Sequence, residues 1–475
     1  MKKNILLLLV LSLFAANISA YTNKTYMRPQ DSSTYLPDRF RVNDYYKADF
    51  KMPSLIGKLD ITAYHFHSIS KDKMGRYFGV NEKSEFNFIG DQTNDDMDID
   101  YRYLISNYSA HTNYSAKMSL DPKTQYAGFN ASVILDLSRI NKHLAFKINV
   151  PYQRVHTDLR SNFSSSNASL IKDYLAGDYS LNVAAGTRNQ EALRYAKITD
   201  QQEKLGIPFM DFCLAYNTHN EDGLINTVKL GFISTVEKKA TAEYLFEPIL
   251  GNNNHFGIDV GIEGSKRLFD GNGHRSFVDF VWDLNYKYLF SNTQFRTLGI
   301  KGANWGQYYL LGKEGVSGAF IPAANVLTQN VKVEPGSHLD LNLELLFGYH
   351  ASRVSVGGNI IARQEEELDF KNNLATQTYG VVTPGTSSAV NFDLSTNVGL
   401  GNYTTYALSN DNIDLKAAQA PGIFAYKVYL QYAYDYVKRN TERMFTVATG
   451  VSLNITDQNA HFDGIGCWFK MAAYF

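Results

Sequence analysis

The sequence predicts an all-β fold: an antiparallel transmembrane β-barrel of about fourteen strands (range about 12–16), with short periplasmic turns and long extracellular loops. Three observations predict it. Long segments alternate apolar and polar residues, short and long connections follow one another regularly, and after Ala20 no apolar stretch is long enough for a membrane-spanning helix. A barrel reconciles the mean hydropathy of -0.28 with membrane residence, because only every second strand residue faces lipid.

The alternation has period two in several long segments. In residues 275–290, Val278, Phe280 and Trp282 share one face, while Asp279 and Asp283 occupy the other. A helix would bring Phe280 next to both aspartates, so a strand fits and a helix does not. Such runs exceed the usual five or six residues of a soluble strand and match the ~9–11 residues that a tilted strand needs to cross a bilayer. A large soluble all-β protein remains the alternative.

Counting back from Phe475, with both termini in the periplasm, predicts a specific set of strands. They are 59–69, 97–108, 112–120, 125–137, 143–155, 206–217, 224–236, 254–268, 275–290, 338–349, 353–367, 422–437, 443–455 and 464–475. Residues 76–89 and 388–398 also look strand-like and are assigned to outer loops, because a bacterial single-chain barrel has an even number of strands.

The connections predict which end of the barrel is which. The short ones, assigned to the periplasm, are 138–143, 217–223, 270–274, 350–352 and 438–443, and the long ones are 156–206, 237–253, 291–336 and 368–422. The Asp270–Gly273 stretch is rich in residues that accept a positive φ, as tight hairpin turns require.

The chain divides into three predicted parts. Residues 1–20 resemble a cleaved secretory signal, with Lys2 and Lys3 before a mostly apolar run and a small residue at Ala20. Residues 21–58 alternate poorly and are expected to form a periplasmic tail or a small plug, and residues 59–475 form the barrel. The expected location is therefore the bacterial outer membrane, with its lipids as partners.

Composition and motifs exclude several function classes. The net charge of -1 gives no electrostatic case for nucleic acid. Cys213 and Cys467 fall on opposite strand faces and are expected to be isolated thiols. No nucleophile elbow or phosphate-binding glycine loop is present, so neither an enzyme nor a cofactor is expected. The acidic stretch Asp95–Asp100 is expected to be a solvated loop rather than a metal site.

The polar faces of the strands are expected to line the interior. The candidate lumen residues are Lys147, Asn149, Asp259, Glu263, Asp279, Asp283, Lys287, Asp340, Glu344, Arg363, Lys427 and Asp435, and Lys229 lies on the same face. Charged interior side chains need water or partners, since a bare buried charge is costly. Two interpretations stay open: a water-filled pore, or an interior closed by salt bridges and by loops that fold inward.

The last strand resembles the insertion signal of Gram-negative outer-membrane proteins. Phe469, Met471, Ala473 and the terminal Phe475 share one face of residues 464–475. This resemblance implies recognition by the barrel-assembly machinery. The expected size and strand number are similar to those of general porins and of outer-membrane fatty-acid transporters. The stretches 76–79 and 246–252 resemble barrel proteins of Gram-negative bacteria that have no assigned activity.

The resulting functional hypothesis is a porin-like channel that passes small solutes across the outer membrane. The first alternative is an adhesin or a structural barrel that acts through loops of about fifty residues. The second is uptake of hydrophobic compounds, with residues 21–58 as a plug. The transported substrate and the oligomeric state are not legible in the sequence.

Overall fold

The computed structural model describes residues 23–29, 56–69, 72–90, 98–106, 114–165, 168–182, 189–199, 201–219, 224–271, 276–313, 316, 319–372, 378–382, 405–438, 443–456 and 459–475. The predicted signal peptide, residues 30–55, the turn residues 272–274 and the strand-like segment 388–398 lie outside the described residues.

Twelve antiparallel strands of 11 to 16 residues form the barrel. In chain order they are β1 (Gly57–Ser68), β2 (Lys123–Asp136), β3 (Leu144–Asp158), β4 (Phe209–His219), β5 (Leu224–Thr235), β6 (Gly257–Gly271), β7 (Ser276–Leu289), β8 (Ser337–Tyr349), β9 (Ser352–Arg363), β10 (Ile423–Lys438), β11 (Arg443–Thr456) and β12 (Gly464–Tyr474).

The sheet closes on itself at the pair β1 and β12. Leu59 stands opposite Ala473 and Thr62 opposite Lys470, while the other edge of β1 pairs with β2. The terminal Phe475 holds this seam together, because its carbonyl accepts hydrogen bonds from the amides of Ile56 (2.6 Å) and Gly57 (2.9 Å). Closure leaves no free edge among these strands, as a bilayer interior requires.

The two faces of the strands differ in polarity. On β10, Val428 and Leu430 are 57% and 50% exposed. Lys427, the residue before Val428 on the same strand, is 2% exposed. On the other strands most exposed side chains are also apolar, and the buried face carries most of the charged side chains together with apolar ones such as Phe66 and Ile134. Since the inside of a closed barrel is the sheltered face, the apolar side chains point outward and the polar ones point inward.

The predicted strand list is confirmed for twelve of its fourteen members, with ends within four residues. The expected segments 97–108 and 112–120 are not barrel strands. Asp98–Asp100 and Ser115–Leu120 belong to a separate four-stranded sheet with Glu85–Ile89 and Ser161–Ser164. Their apolar residues alternate because they pack into a core at one end of the barrel, which from sequence looks the same as a lipid-facing strand.

One break in the barrel wall accounts for a boundary error. The strand Gln201–Gly206 pairs with the C-terminal half of β3, and β4 pairs with its N-terminal half. The register shifts by one residue between the two. Pro208 precedes β4, and Pro151 of β3 lies within the same stretch. A proline has no N–H to donate, so the ladder stops here and β4 begins at Phe209 instead of residue 206.

We call the end with the long connections the loop end and the opposite end the turn end. The connections after β1, β3, β5, β7, β9 and β11 meet at the loop end. They contain helices α1 (Asp72–Phe78), α2 (Ser169–Ala176), α3 (Ala323–Leu327) and α4 (Leu415–Ala418), and 3₁₀ turns at Tyr101–Tyr103, Gly306–Tyr308 and Asn410–Asn412. Among the described residues, no helix is both long enough and apolar enough to cross a bilayer.

Short strands tie these connections to one another. One sheet joins Asn292–Thr297, Thr328–Glu334 and Glu367–Phe370, and a pair joins Gly299–Ile300 to Ile413–Asp414. A six-stranded sheet contains Leu181–Asn182, Asn189–Gln190, Leu310–Lys313, Ala319–Pro322, Tyr379–Val382 and Thr405–Ala407. The loop end therefore carries folded structure of its own.

Candidate functional site: a polar interior beneath a cap

All twelve candidate lumen residues lie on the inner face of the barrel strands. Eleven are buried, and Asp259 is half-buried beside a small cavity that Lys147, Asn149 and Lys229 also line. In a wide aqueous pore these side chains would be exposed. Their burial indicates that the interior around them is filled in this conformation.

The middle of the interior holds a three-strand charge cluster. Lys229 on β5 places its Nζ 2.7 Å from Asp283 Oδ1 on β7 and 3.4 Å from Glu263 Oε2 on the intervening β6. Asn285 donates a further hydrogen bond to Asp283 at 2.9 Å. One lysine thus serves two buried carboxylates, and the hydrogen bonds offset part of the cost of removing these charges from water.

Further polar clusters continue toward both ends of the barrel. Near the turn end, Arg353 pairs with Asp435 at 2.7 Å, and Thr446 donates to the same carboxylate. On β8, Glu344 accepts a hydrogen bond from the Tyr429 hydroxyl at 2.6 Å. At the loop end, Arg363 donates to the carbonyl of Pro29 at 3.1 Å. Polar contacts therefore follow the barrel from one end to the other.

Sequence analysis missed several members of these clusters. Asp211 on β4 is buried beside Asn149, whose amide donates to it at 3.1 Å, and its position two residues before Cys213 could have revealed it. Arg353 and Tyr429 were overlooked for different reasons. Arg353 lies next to a turn, and Tyr429 is an aromatic residue on the polar face of its strand.

Both cysteines are free thiols, on the faces that the sequence predicted. Cys213 lines the interior cavity beside Lys147, and Cys467 is exposed on the outer face. The expectation of a solvated acidic loop is wrong for Asp100, which is buried and pairs with Arg102 at 2.6 Å. Asp95 and Asp96 lie outside the described residues. Within the described ranges, no group of three or more potential ligands is placed to hold a metal ion.

A folded cap covers the loop end. We define the cap as the described residues of the six connections at the loop end together with residues 23–29. Its apolar core draws side chains from all six, including Phe86, Tyr174, Phe246, Trp305, Leu408 and Phe462. Because each connection contributes to the same core, no loop can lift without exposing buried apolar surface.

Trp305 lies at the centre of the cap and is 1% exposed. Its ring packs edge-on against Phe86, with the ring centroids 4.7 Å apart, and also contacts Tyr308. Its Nε1 donates a hydrogen bond to the carbonyl of Phe78 at 2.8 Å. Phe78, Phe86 and Trp305 come from two different connections, so the indole joins them both sterically and by a hydrogen bond.

Residues 23–29 add an N-terminal strap to the cap. The amide of Asn23 donates to the carbonyl of Gly79 at 2.8 Å, and that of Thr25 donates to Ala417 at 2.9 Å. The hydroxyl of Tyr77 donates to the carbonyl of Tyr26 at 2.6 Å. The expectation of a tail or plug for residues 21–58 stays a prediction, since residues 30–55 lie outside the described residues.

Two buried histidines lead us to expect that the stability of the cap depends on pH. Burial lowers the pKa of His461 from 6.5 to about 3 and that of His255 to about 4. When the cap opens, both imidazoles regain an ordinary pKa and bind protons more readily. The open form thus holds more protons between about pH 4 and about pH 6.5, and cap stability present above that range is lost as the pH falls through it.

We therefore expect limited proteolysis of the cap to be about tenfold or more faster at about pH 5 than at about pH 7.5, because each pKa unit is worth a factor of about ten. Full-length protein in detergent, a protease active at both pH values and cleavage of an unstructured reference peptide provide the measurement. His461→Gln should reduce the pH dependence and His350→Gln, at an exposed position, should not. Equal slopes in all three proteins would refute the assignment.

The exposed apolar outside and buried polar inside are the reverse of the arrangement in a soluble protein. A closed barrel with these faces, and with strands of at least 11 residues, is matched to a bilayer. The chain is an outer-membrane type of β-barrel.

The barrel has distant structural likenesses. An outer-membrane channel from Pseudomonas putida F1 matches with a TM-score of 0.40 and 8% identity, over 89% of this chain and 96% of that one. A mutant of the monoaromatic hydrocarbon channel TodX matches with a TM-score of 0.33 and 10% identity, over 88% of this chain and 90% of the other. A FadL homologue of Pseudomonas aeruginosa matches with a TM-score of 0.30 and 7% identity, over 97% and 99%.

No family model matches the sequence. No curated protein matches it either. With TM-scores this low, the function of the barrel has to be inferred from the geometry of this chain alone.

Proposed function

We propose that this barrel is a gated channel for small polar solutes, closed by its cap in this conformation. One observation carries the proposal: polar and charged side chains line the barrel along its length, from Arg353 and Asp435 near the turn end to Arg363 at the loop end. A barrel that only needed a filled interior would gain more from apolar side chains, since replacing buried ion pairs with hydrophobic residues is often neutral or stabilising.

The same charges suit an interior that takes up water when the cap opens. Lys229, Asp283 and Glu263 pair with one another while the interior is dry, and hydration would lower the cost of separating them. A hydrophobic solute on this route would have to pass the buried charges of Lys229, Asp283 and Glu263. Uptake of hydrophobic compounds therefore has less support than passage of polar solutes.

The cap is the natural gate of such a channel. Its core joins six connections, so its opening is a cooperative event rather than the movement of a single loop. The buried His255 and His461 favour opening at low pH, because only an opened cap lets them bind protons readily. The channel is therefore expected to open more often in mild acid.

Single-channel recording from the full chain in planar bilayers tests the proposal. Openings should be rare at about pH 7.5, and the open probability should rise about tenfold or more at about pH 5, because each pKa unit is worth a factor of about ten. His461→Gln should weaken this rise. Folded protein that carries no current at either pH, even after proteolytic removal of the cap, would overturn the channel and leave a structural barrel.

An adhesin is the second candidate, and one feature of the cap favours it. A polar groove on the cap is lined by Asn23, Asn81, Asn304, Gln307 and Asp414. Amide side chains both donate and accept hydrogen bonds, as a surface that recognises other molecules requires. If Asn304→Ala, at a half-buried position of this groove, abolished attachment of cells to a surface while conductance stayed unchanged, the adhesin would be favoured over the channel.

A further inference from the structure

A buried ionic triad lies where the N-terminal strap meets the rest of the cap. Arg28 Nε is 3.5 Å from Glu366 Oε1, and Arg296 Nη2 is 3.3 Å from Glu366 Oε2. The three side chains are 6%, 1% and 3% exposed. The amide of Ala420 donates to Glu366 Oε2 at 3.1 Å, which fixes the carboxylate between the two guanidinium groups.

The triad carries an excess positive charge. Two guanidinium groups share one carboxylate, and both guanidinium groups stay ionised at every physiological pH. The neighbouring Glu365 is exposed and cannot supply a buried counter-charge. A net buried charge of this kind is costly unless another group compensates it.

The hydrogen bonds of the two arginines show where compensation is missing. Arg296 is satisfied: its Nε donates to Gln294 at 2.8 Å, its Nη1 donates to the carbonyl of Ala418 at 3.2 Å, and it also lies over the ring of Tyr26. Arg28 Nη2 donates to the carbonyls of Pro335 and Gln364. Arg28 Nη1 is buried and has no hydrogen-bond partner among the described residues.

A small cavity adjoins this arginine. Arg28 and Glu366 line it together with Arg363, His255 and His338. Its volume of about 20 Å³ has room for one group about the size of a water molecule. His255 is neutral here, because burial lowers its pKa to about 4, and its Nδ1 donates to the carbonyl of Phe290 at 2.8 Å.

We propose that this cavity binds one small monovalent anion, which accepts a hydrogen bond from Arg28 Nη1 and neutralises the triad. Chloride has the charge that the site requires and is close to a water molecule in size. The bound anion would hold the N-terminal strap in place, since Arg28 is part of the strap and Arg296 and Glu366 belong to the cap connections after β7 and β9. The site does not depend on whether the barrel conducts.

The test is the thermal unfolding of the full chain in detergent at constant ionic strength, with gluconate as the bulky reference anion. Replacing gluconate stepwise by chloride should raise the unfolding midpoint saturably, by at least about 2 °C, since a ligand that binds the folded state stabilises it by mass action. A parallel series with acetate tests the size of the site: acetate is larger than the cavity and should leave the midpoint unchanged, and an equal rise with acetate would contradict a site of this volume.

Arg28→Gln should abolish the saturable rise, because it removes both the charge and the unpartnered donor. Arg154→Gln is the matched control: Arg154 is 55% exposed and pairs with Glu203 on the outer surface, so this variant should keep the rise. If the wild type shows no saturable dependence on chloride, or if Arg28→Gln retains it, the anion site is refuted.

Glu366→Gln keeps the proposal falsifiable if Arg28→Gln does not fold. This change raises the net charge of the triad from +1 to +2. The dissociation constant of the anion should therefore fall at least about tenfold. A triad with only a structural role predicts a lower unfolding midpoint but no change in anion affinity. Unchanged or weaker anion binding by Glu366→Gln would therefore also overturn the proposal.

Discussion

Lys229→Met is expected to lower the free energy of unfolding of the barrel by about 3–5 kcal/mol, the usual cost of breaking a buried ion pair by removing one partner. Methionine has a similar length but no charge, so Asp283 and Glu263 would both stay in the interior without the cation that now lies 2.7 Å and 3.4 Å away. The loss arises because Asp283 and Glu263 both lose this cation while they stay buried, and not from a cavity.

Urea titration of the full chain, followed by the mobility difference between folded and unfolded barrel on a gel, measures this loss. Lys332→Met is the matched control, because Lys332 is 48% exposed and pairs with an equally exposed Glu334, and it should change stability by less than about 0.5 kcal/mol. Adding Asp283→Asn to Lys229→Met should recover part of the loss. If Lys229→Met cost no more than Lys332→Met, the interior would be hydrated rather than dry.

Trp305→Ala is expected to destabilise the cap by about 3–5 kcal/mol while the barrel beneath it stays folded. The substitution empties the space between Phe86 and Tyr308 and leaves the carbonyl of Phe78 without its hydrogen bond. Because the indole joins two of the connections, the cap should open more often as a unit. Trypsin should then cleave the cap much faster, and the channel should show frequent openings in planar bilayers.

Tyr349→Ala is a suitable control, since Tyr349 is an aromatic residue that is 61% exposed at the turn end. It should change neither the cleavage rate nor the current. A Trp305→Ala protein whose cap is rapidly cleaved but which still carries no current would show that the cap is not the gate. A protein whose cap stays as resistant as the wild type would show that the indole is not central to the cap.

The barrel strands were predictable because the signal that defines them is local. Each segment shows which side chains meet lipid through its own period of two, as Phe280 and Asp279 do on β7. The same rule grouped the lumen candidates, which share the sheltered face of their strands in the structure. It failed where alternation has another cause: Ile99 and Met118 are buried in the core of the cap rather than in a barrel strand.

Sequence alone determined the all-β fold, the polarity of the two strand faces and the position of twelve strands, since period and length can be read from neighbouring residues. Only the tertiary structure decided that the long connections fold into a cap and that Arg28 meets Glu366, 338 positions further along the chain. Such contacts depend on how distant segments pack at one end of the barrel. No local pattern of residues records the partner of a buried charge, because that partner is chosen by position in space.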